Sequence, residues 1–281
     1  MQDKETLRER IFFVGVGAMK SGTSWLSDYL TRHPEVYHSP IKEVNFFNQI
    51  SPNQLEIEPS IFRLQRMTRI LLDKEPEYPP SKFAYRKLQQ LANLTRVTDI
   101  ESYRGYFANS IGSEQTFGEF SPNYSALDET GFRKMLEVNG DVRILYIMRD
   151  PTDRVCSHIR HIWRIKPELG IEEAISNLGE DNEVYFRTDY GKTIDCLHKA
   201  FGTNRVMLIF YDNLFNENTI SSVCNFLGVS YFSPEISKKV HTAKTRDIED
   251  DQKLRIREML SGIYVDMNQR FGKNLPSYWN R

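Results

Sequence analysis

Residues 11–26, IFFVGVGAMKSGTSWL, constrain this chain more than any other stretch. Residues 11–16 form an apolar run interrupted by one glycine, the pattern of a central strand buried on both faces. A turn containing glycine follows. Ser24–Thr31 then reads as helix, ending at RHPEVY because His33 precedes Pro34 and is biased away from helical backbone. Strand, turn and helix in this order bring unpaired amides and the positive end of a helix dipole to one point, where an oxyanion can bind. Gly17 and Gly22 have the G-x-x-x-x-G spacing of a nucleoside-triphosphate loop, but Thr23 stands where that motif has its lysine. The lysine comes earlier instead, as Lys20. Gly22 allows the backbone to approach an oxyanion closely. Thr23 and Ser24 add hydroxyl donors, and Lys20 adds a mobile charge able to follow negative charge onto a leaving oxygen.

Two further apolar runs, VRILYIM at 142–148 and RVMLIF at 205–210, also read as strands, and VYHS at 36–39 reads as a short one. Helical patterns lie around 130–139, 151–165 and 182–199. Strands separated by helices predict an α/β fold, a P-loop-type central parallel sheet flanked by helices. Ligands in such folds bind at the carboxyl ends of the strands. Lys20, Arg149 and Tyr211 all follow apolar runs, so one site can collect all three. Residues 49–117 break the pattern. They contain EPEYPP and a basic excess (Arg63, Arg66, Arg69, Lys82, Arg86, Lys87 and Arg96), and read as a mostly helical insertion. Its basic side chains form either a solvated face or a lid and acceptor platform.

With 281 residues the chain is long enough for one large α/β domain and a substantial core, and residues 1–281 are taken as one domain. A hydrophobic content of 40% with 27% charged residues is that of an ordinary globular protein. The net charge of −1 argues against a nucleic-acid partner, so any basic site must be local. Cys156, Cys196 and Cys224 are far apart and lack metal-ligand spacing, which predicts buried free thiols in a reducing compartment and no metal site. MQDKETLRER at the start has no apolar stretch like that of a signal peptide, and no run approaches the ~18 apolar residues of a membrane span. A cytoplasmic location is expected.

The second motif is LYIMRDPTDRVCSHIRH, 145–161. Asp150 suits a helix N-cap and Pro151 the first helical position. Arg149 sits at the strand end, just before that cap. Arg154, Ser157, His158 and His161 are spaced i, i+3, i+4, i+7 and share one helix face. Arg149 and Ser157 are suited to grip a second phosphate, Arg154 to an internal ion pair, and His158 and His161 to structural or rim positions.

Together the two motifs resemble the sulfotransferases that use 3′-phosphoadenosine 5′-phosphosulfate (PAPS), closest in pattern to the glycan sulfotransferases of the heparan-sulfate type. The resemblance runs from about residue 11 to 246 and leaves 49–117 uncovered. It implies that Lys20, Ser21, Gly22, Thr23 and Ser24 bind the 5′-phosphosulfate end of the donor, with Trp25 either a wall of the nucleotide site or part of the core. Arg149 and Ser157 would then hold its 3′-phosphate. SPIKEVNFF at 39–47 is similar to the family's K-E-x-x-F-F segment, which makes Glu43 the general base and puts Lys42 beside it; Asn45 stands where the family often has histidine. GEFSPNY at 118–124 is similar to a G-E-x-[ST]-P-x-Y wall of the acceptor site, so Lys42, Glu119 and Tyr124 are expected to face the acceptor. FYDNL at 210–214 resembles the stretch whose tyrosine, here Tyr211, lies near the adenine. KTR at 244–246 resembles the late basic loop that closes over the phosphates through Lys244 and Arg246.

The implied enzyme moves a sulfuryl group in line from PAPS to an acceptor hydroxyl, with adenosine 3′,5′-bisphosphate (PAP) as product. Glu43 takes the proton and Lys20 stabilises the leaving oxygen, without a metal ion. A carbohydrate acceptor is expected; a lipid, a small alcohol and a hydroxyacyl chain on a carrier protein stay open. A P-loop kinase or ATPase is disfavoured by Thr23 in the lysine position and by the lack of a clear Walker B aspartate. A non-catalytic nucleotide-binding module is the other alternative. The oligomeric state is open, and a C-terminal helix at about 250–270 is suited either to a dimer face or to the core.

Overall fold

The computed structural model describes residues 7–51, 64–65, 67–69, 82–176, 178, 182–236 and 246–280. In chain order the elements are β1 (Ile11–Gly17), α1 (Thr23–Arg32), β2 (Val36–His38), α2 (Phe46–Ile50), α3 (Lys82–Leu94), α4 (Ile100–Ala108) and β3 (Thr116–Phe120). They continue with α5 (Glu129–Arg133), β4 (Val142–Met148), α6 (Pro151–Ile162), α7 (Ile171–Ser176), α8 (Glu183–Phe186) and α9 (Tyr190–Phe201). The last are β5 (Val206–Phe210), α10 (Tyr211–Leu214), α11 (Glu217–Phe226), α12 (Asp250–Met259) and α13 (Ser261–Phe271).

All described strands pair in parallel, in the order β2-β3-β1-β4-β5. This is the expected α/β architecture with helices on both faces. The period of two along each strand splits its side chains between two cores. Phe12, Val14 and Val16 of β1, with Ile144, Tyr146 and Met148 of β4, enter one core. Phe13 of β1, with Leu145 and Ile147 of β4, enters the other, beneath α1 and α11. A strand that is apolar on both sides has no solvent face, which explains the continuous apolar runs.

Local chemistry sets the helix ends. Asp150 accepts from the Asp153 amide at 3.0 Å and Pro151 occupies the first turn of α6. Asp99 and Ser102 form a reciprocal capping box on α4, and Asp189 accepts from the Lys192 amide at 3.1 Å to cap α9. Among the described residues the insertion is helical through α3 and α4, as expected.

β3 has no counterpart in the apolar pattern read from the sequence. TFGEF carries a glycine and a carboxylate, yet all of its residues are buried. It lies between β2 and β1 and starts inside the range assigned to the insertion. The helical patterns around 130–139, 182–199 and 250–270 are each divided, into α5 with a 3-10 turn, α8 and α9, and α12 and α13. Cys156 and Cys224 are buried free thiols, whereas Cys196 is partly exposed.

Candidate active site

The turn between β1 and α1 lies at the carboxyl edge of the sheet. Gly22 is the N-cap of α1, with φ 89° and no side-chain cap. A Cβ at this position would stand 2.8 Å from Leu214 Cδ2 and 3.0 Å from Tyr211 Cδ2, so both the φ angle and the close approach require glycine. With no capping side chain, the first amides of α1 remain available to an anion. Ser21 is fully buried, and its Oγ has no partner at bonding distance. Lys20 also adopts a left-handed backbone, φ 71°. Burial, then Arg164, Lys42 and Arg149, push its ammonium below the usual lysine value, while Glu43 opposes the shift.

Arg149 ends β4 at the same edge. Its Nη1 lies 3.5 Å from the Lys20 carbonyl, and its guanidinium lies over the Tyr211 ring at 4.8 Å. The same ring borders Gly22, so the three positions expected to meet do meet. Arg149 Nε is buried without a partner, a second orphaned donor in this corner. The arginine is held from behind, where the Tyr190 hydroxyl donates to its carbonyl at 2.7 Å. The next residue, Asp150, is buried and accepts from the Tyr264 hydroxyl at 2.9 Å, with Arg257 3.8 Å away. Helices α12 and α13 therefore brace the RDP turn, a role the sequence left between dimer face and core. Ser157 is partly exposed two turns along α6, and Asp153, which pairs with Arg149 at 3.7 Å, stands between them. Arg246 lies 5.9 Å over the Trp163 ring at the far end of this helix. Lys244 lies outside the described residues.

Across the loop, Glu43 and Asn45 both have left-handed backbone, φ 58° and 55°. Lys42 Nζ donates to Ser24 Oγ at 2.5 Å, which joins this segment to the start of α1. Burial lowers the Lys42 ammonium below its ordinary value, against the pull of Glu43. Lys42 was expected on the acceptor side, and its ammonium reaches the first turn of α1.

Glu119 and Tyr124, also expected on the acceptor wall, are fully buried. Glu119 accepts from the Tyr103 and Tyr124 hydroxyls at 2.7 Å each, from Ser121 Oγ at 2.5 Å and from the Val44 amide at 3.2 Å. Neither side chain has surface left to offer an acceptor. Of the two places open to Trp25, nucleotide wall and core, the structure shows the core: it is stacked parallel to Tyr29 at 6.2 Å and edge-on to Phe215 at 5.1 Å.

Arg154 is fully buried, as an internal role requires, but its recorded acceptors are not carboxylates. Its Nη2 donates to the Val184 carbonyl at 2.6 Å and to Thr188 Oγ1 at 2.5 Å. That pair pins α8 and sets the neighbouring Arg187 against Met19 Sδ, at 3.4 Å, with Asn123 and Glu183 as further partners. Burial, followed by Arg154, Arg187, His161 and Lys20, holds the His158 pKa down to about 3, so this imidazole stays neutral. Burial, Lys20 and Arg164 also lower His161, and Glu43 pulls the other way, which places His161 among the central groups of the site. The signal for His161 was visible in the i, i+4 spacing from Ser157. No sequence signal pointed to Arg187, Tyr190 or Tyr264.

Uncapped helix amides, a lysine and a strand-end arginine thus come together at the carboxyl edge of a parallel sheet. Residues 12–234 match the model of the sulfotransferase family, and the chain belongs to that family. A crystal structure of a sulfotransferase from Alicyclobacillus acidocaldarius superposes with a TM-score of 0.69 at 23% identity, over 98% of this chain and 99% of that one. A membrane-associated sulfotransferase, kil1, of Dictyostelium discoideum is 43% identical over 44 residues, which span 16% of this chain and 9% of that protein. Among the described residues no helix is long and apolar enough to cross a membrane, and no group of three or more His, Cys, Asp or Glu is placed to hold a metal ion.

Proposed function

We propose that this sulfotransferase takes its sulfuryl group from PAPS and delivers it to a carbohydrate hydroxyl. One observation carries the donor reading: the uncapped start of α1 and Arg149 meet at Tyr211, Arg149 reaches the Lys20 carbonyl, and Ser21 Oγ and Arg149 Nε are left without partners. Buried donors without partners are costly, and an anionic ligand satisfies them. The loop and Lys20 suit the 5′-phosphosulfate end of the donor, Arg149 and Ser157 its 3′-phosphate, and Tyr211 its base, with Arg246 as a further basic side chain for the phosphates. Lys20 stabilises charge on the leaving phosphate oxygen. Glu43, close enough to Lys20 to shift its titration, takes the acceptor proton as the new S–O bond forms. The donor supplies the sulfuryl group, and the chain supplies orientation, positive charge and the base. The carbohydrate acceptor rests on the K-E-x-x-F-F likeness at 39–47. No metal ion takes part in this reading.

Calorimetry with PAP, ADP and ATP–magnesium tests it. Tight PAP binding with weak ADP binding supports a 3′-phosphate site. A preference for ATP–magnesium overturns the donor assignment. A transfer assay from PAPS onto polysaccharide, lipid and small-alcohol acceptors tests the acceptor class.

A further inference from the structure

Three successive amides of the Glu43 segment hang on the end of β3. The Glu43 amide donates to the Phe120 carbonyl at 3.0 Å, the Val44 amide to Glu119 Oε2 at 3.2 Å, and the Asn45 amide to Ser121 Oγ at 3.0 Å. Ser121 Oγ in turn donates to Glu119 Oε2 at 2.5 Å, so the carboxylate holds two of the three. These bonds secure a segment that resists its own conformation. Glu43 and Asn45 are both left-handed, at a cost of roughly 1–2 kcal/mol for each residue with a Cβ.

The choice of a carboxylate is informative. Glu119 is fully buried, and among the described residues it pairs with no cation. An ionised carboxylate in such a place is expensive, and packing alone is better served by an apolar side chain. Its value lies in being an acceptor only: every recorded partner, Tyr103, Tyr124, Ser121 and the Val44 amide, is a donor to it. Glutamine at this position would turn an NH2 group toward groups that also donate. Tyr103 belongs to α4, so the inserted region takes part in the same cluster.

We propose that Glu119 is a positioning residue for sulfuryl transfer, its buried carboxylate holding residues 43–45 in the left-handed turn that presents Glu43 beside Lys20. The inference rests on the reading of Glu43 as the base and adds what orients it. Glu119 itself touches neither donor nor acceptor.

The test compares Glu119→Gln, Glu43→Gln and the double variant. Hydrogen exchange of the 43–45 amides, PAP affinity and the rate of PAP release from PAPS, with water or an identified acceptor, are measured on each. In Glu119→Gln the 43–45 amides should exchange about tenfold faster or more, while those of the 15–25 loop and PAP affinity stay unchanged. The release rate should fall toward that of Glu43→Gln, and the double variant should be no slower than Glu43→Gln alone. Unchanged exchange at 43–45, losses that multiply in the double variant, or an equal loss of PAP affinity would each overturn the proposal. Ser121→Ala removes only the relay to Asn45 and should shift exchange in the same direction if Glu119→Gln does not fold; no shift there also overturns it. If Glu43→Gln by itself leaves the rate intact, the base reading fails, and the exchange data alone decide whether Glu119 holds the turn.

Discussion

The two walls of the site are built on opposite plans. On the wall proposed to hold phosphate, Ser21 Oγ and Arg149 Nε are buried without a partner among the described residues, beside a start of α1 that no side chain caps. On the Glu43 wall the polar groups already answer one another, with Glu119 bound to Tyr103, Tyr124, Ser121 and the Val44 amide. An unfinished wall suits a ligand whose charge and shape never vary, because the ligand completes it. A finished wall suits a base whose direction must be settled before any acceptor arrives. Substitutions on the first wall should therefore act on nucleotide binding and transition-state charge, and those on the second on orientation.

The sharpest way to break this division is Lys20→Ala. Transfer should fall by at least about 10²-fold with the fold retained, since one charge donor at a leaving oxygen is worth that much. Near-normal PAP release from PAPS would remove Lys20 from the chemistry. Arg149→Ala should weaken PAP by about ten- to a hundredfold in calorimetry and leave ADP, which has no 3′-phosphate, nearly unaffected. An equal loss for both nucleotides would move Arg149 to the other phosphate.

A smaller effect is expected behind the phosphate wall. Tyr264→Phe deprives buried Asp150 of a hydroxyl donor and should lower unfolding stability by about 1–3 kcal/mol in urea titration. PAP affinity should fall less than in Arg149→Ala.

The last is a pH slope. His158 titrates near 3 in the folded protein, against an ordinary 6.5. Below about pH 6.5 the unfolded chain takes up a proton that the folded one refuses, so stability falls as pH drops toward 3, by at most ~1.4 kcal/mol per unit. Glu119 and Asp150 are raised by burial and act in the opposite sense, favouring the folded state at acid pH. The difference between wild type and His158→Gln isolates the histidine. A urea midpoint with the same slope in both proteins between pH 4 and 6.5 would show that His158 is not the group involved.

Legibility followed the same division. Lys20, Gly22, Arg149 and Tyr211 were readable because each follows an apolar run that becomes a parallel strand, and parallel strands deliver their carboxyl ends to one edge. Lys42, Glu119 and Tyr124 were read as facing the acceptor. They lie in two segments whose partners come from elsewhere in the chain: Ser24 for Lys42, and Tyr103 and the Val44 amide around Glu119. Trp25 was open between core and nucleotide wall, and the turn of α1 carries its ring into the core.

By itself, then, the sequence determined the parallel α/β sheet, the glycine turn between β1 and α1 and the helix cap at Asp150, because these depend on short-range rules of periodicity, glycine geometry and capping. Tertiary structure alone decided that TFGEF is a strand, that Glu119 points inward, that Arg154 bonds to a carbonyl and a hydroxyl, and that Tyr190 and Tyr264 brace the RDP turn. Each of these depends on a donor or acceptor many residues away. A hydrogen bond leaves no trace in the local pattern when only the packed chain brings its two ends together.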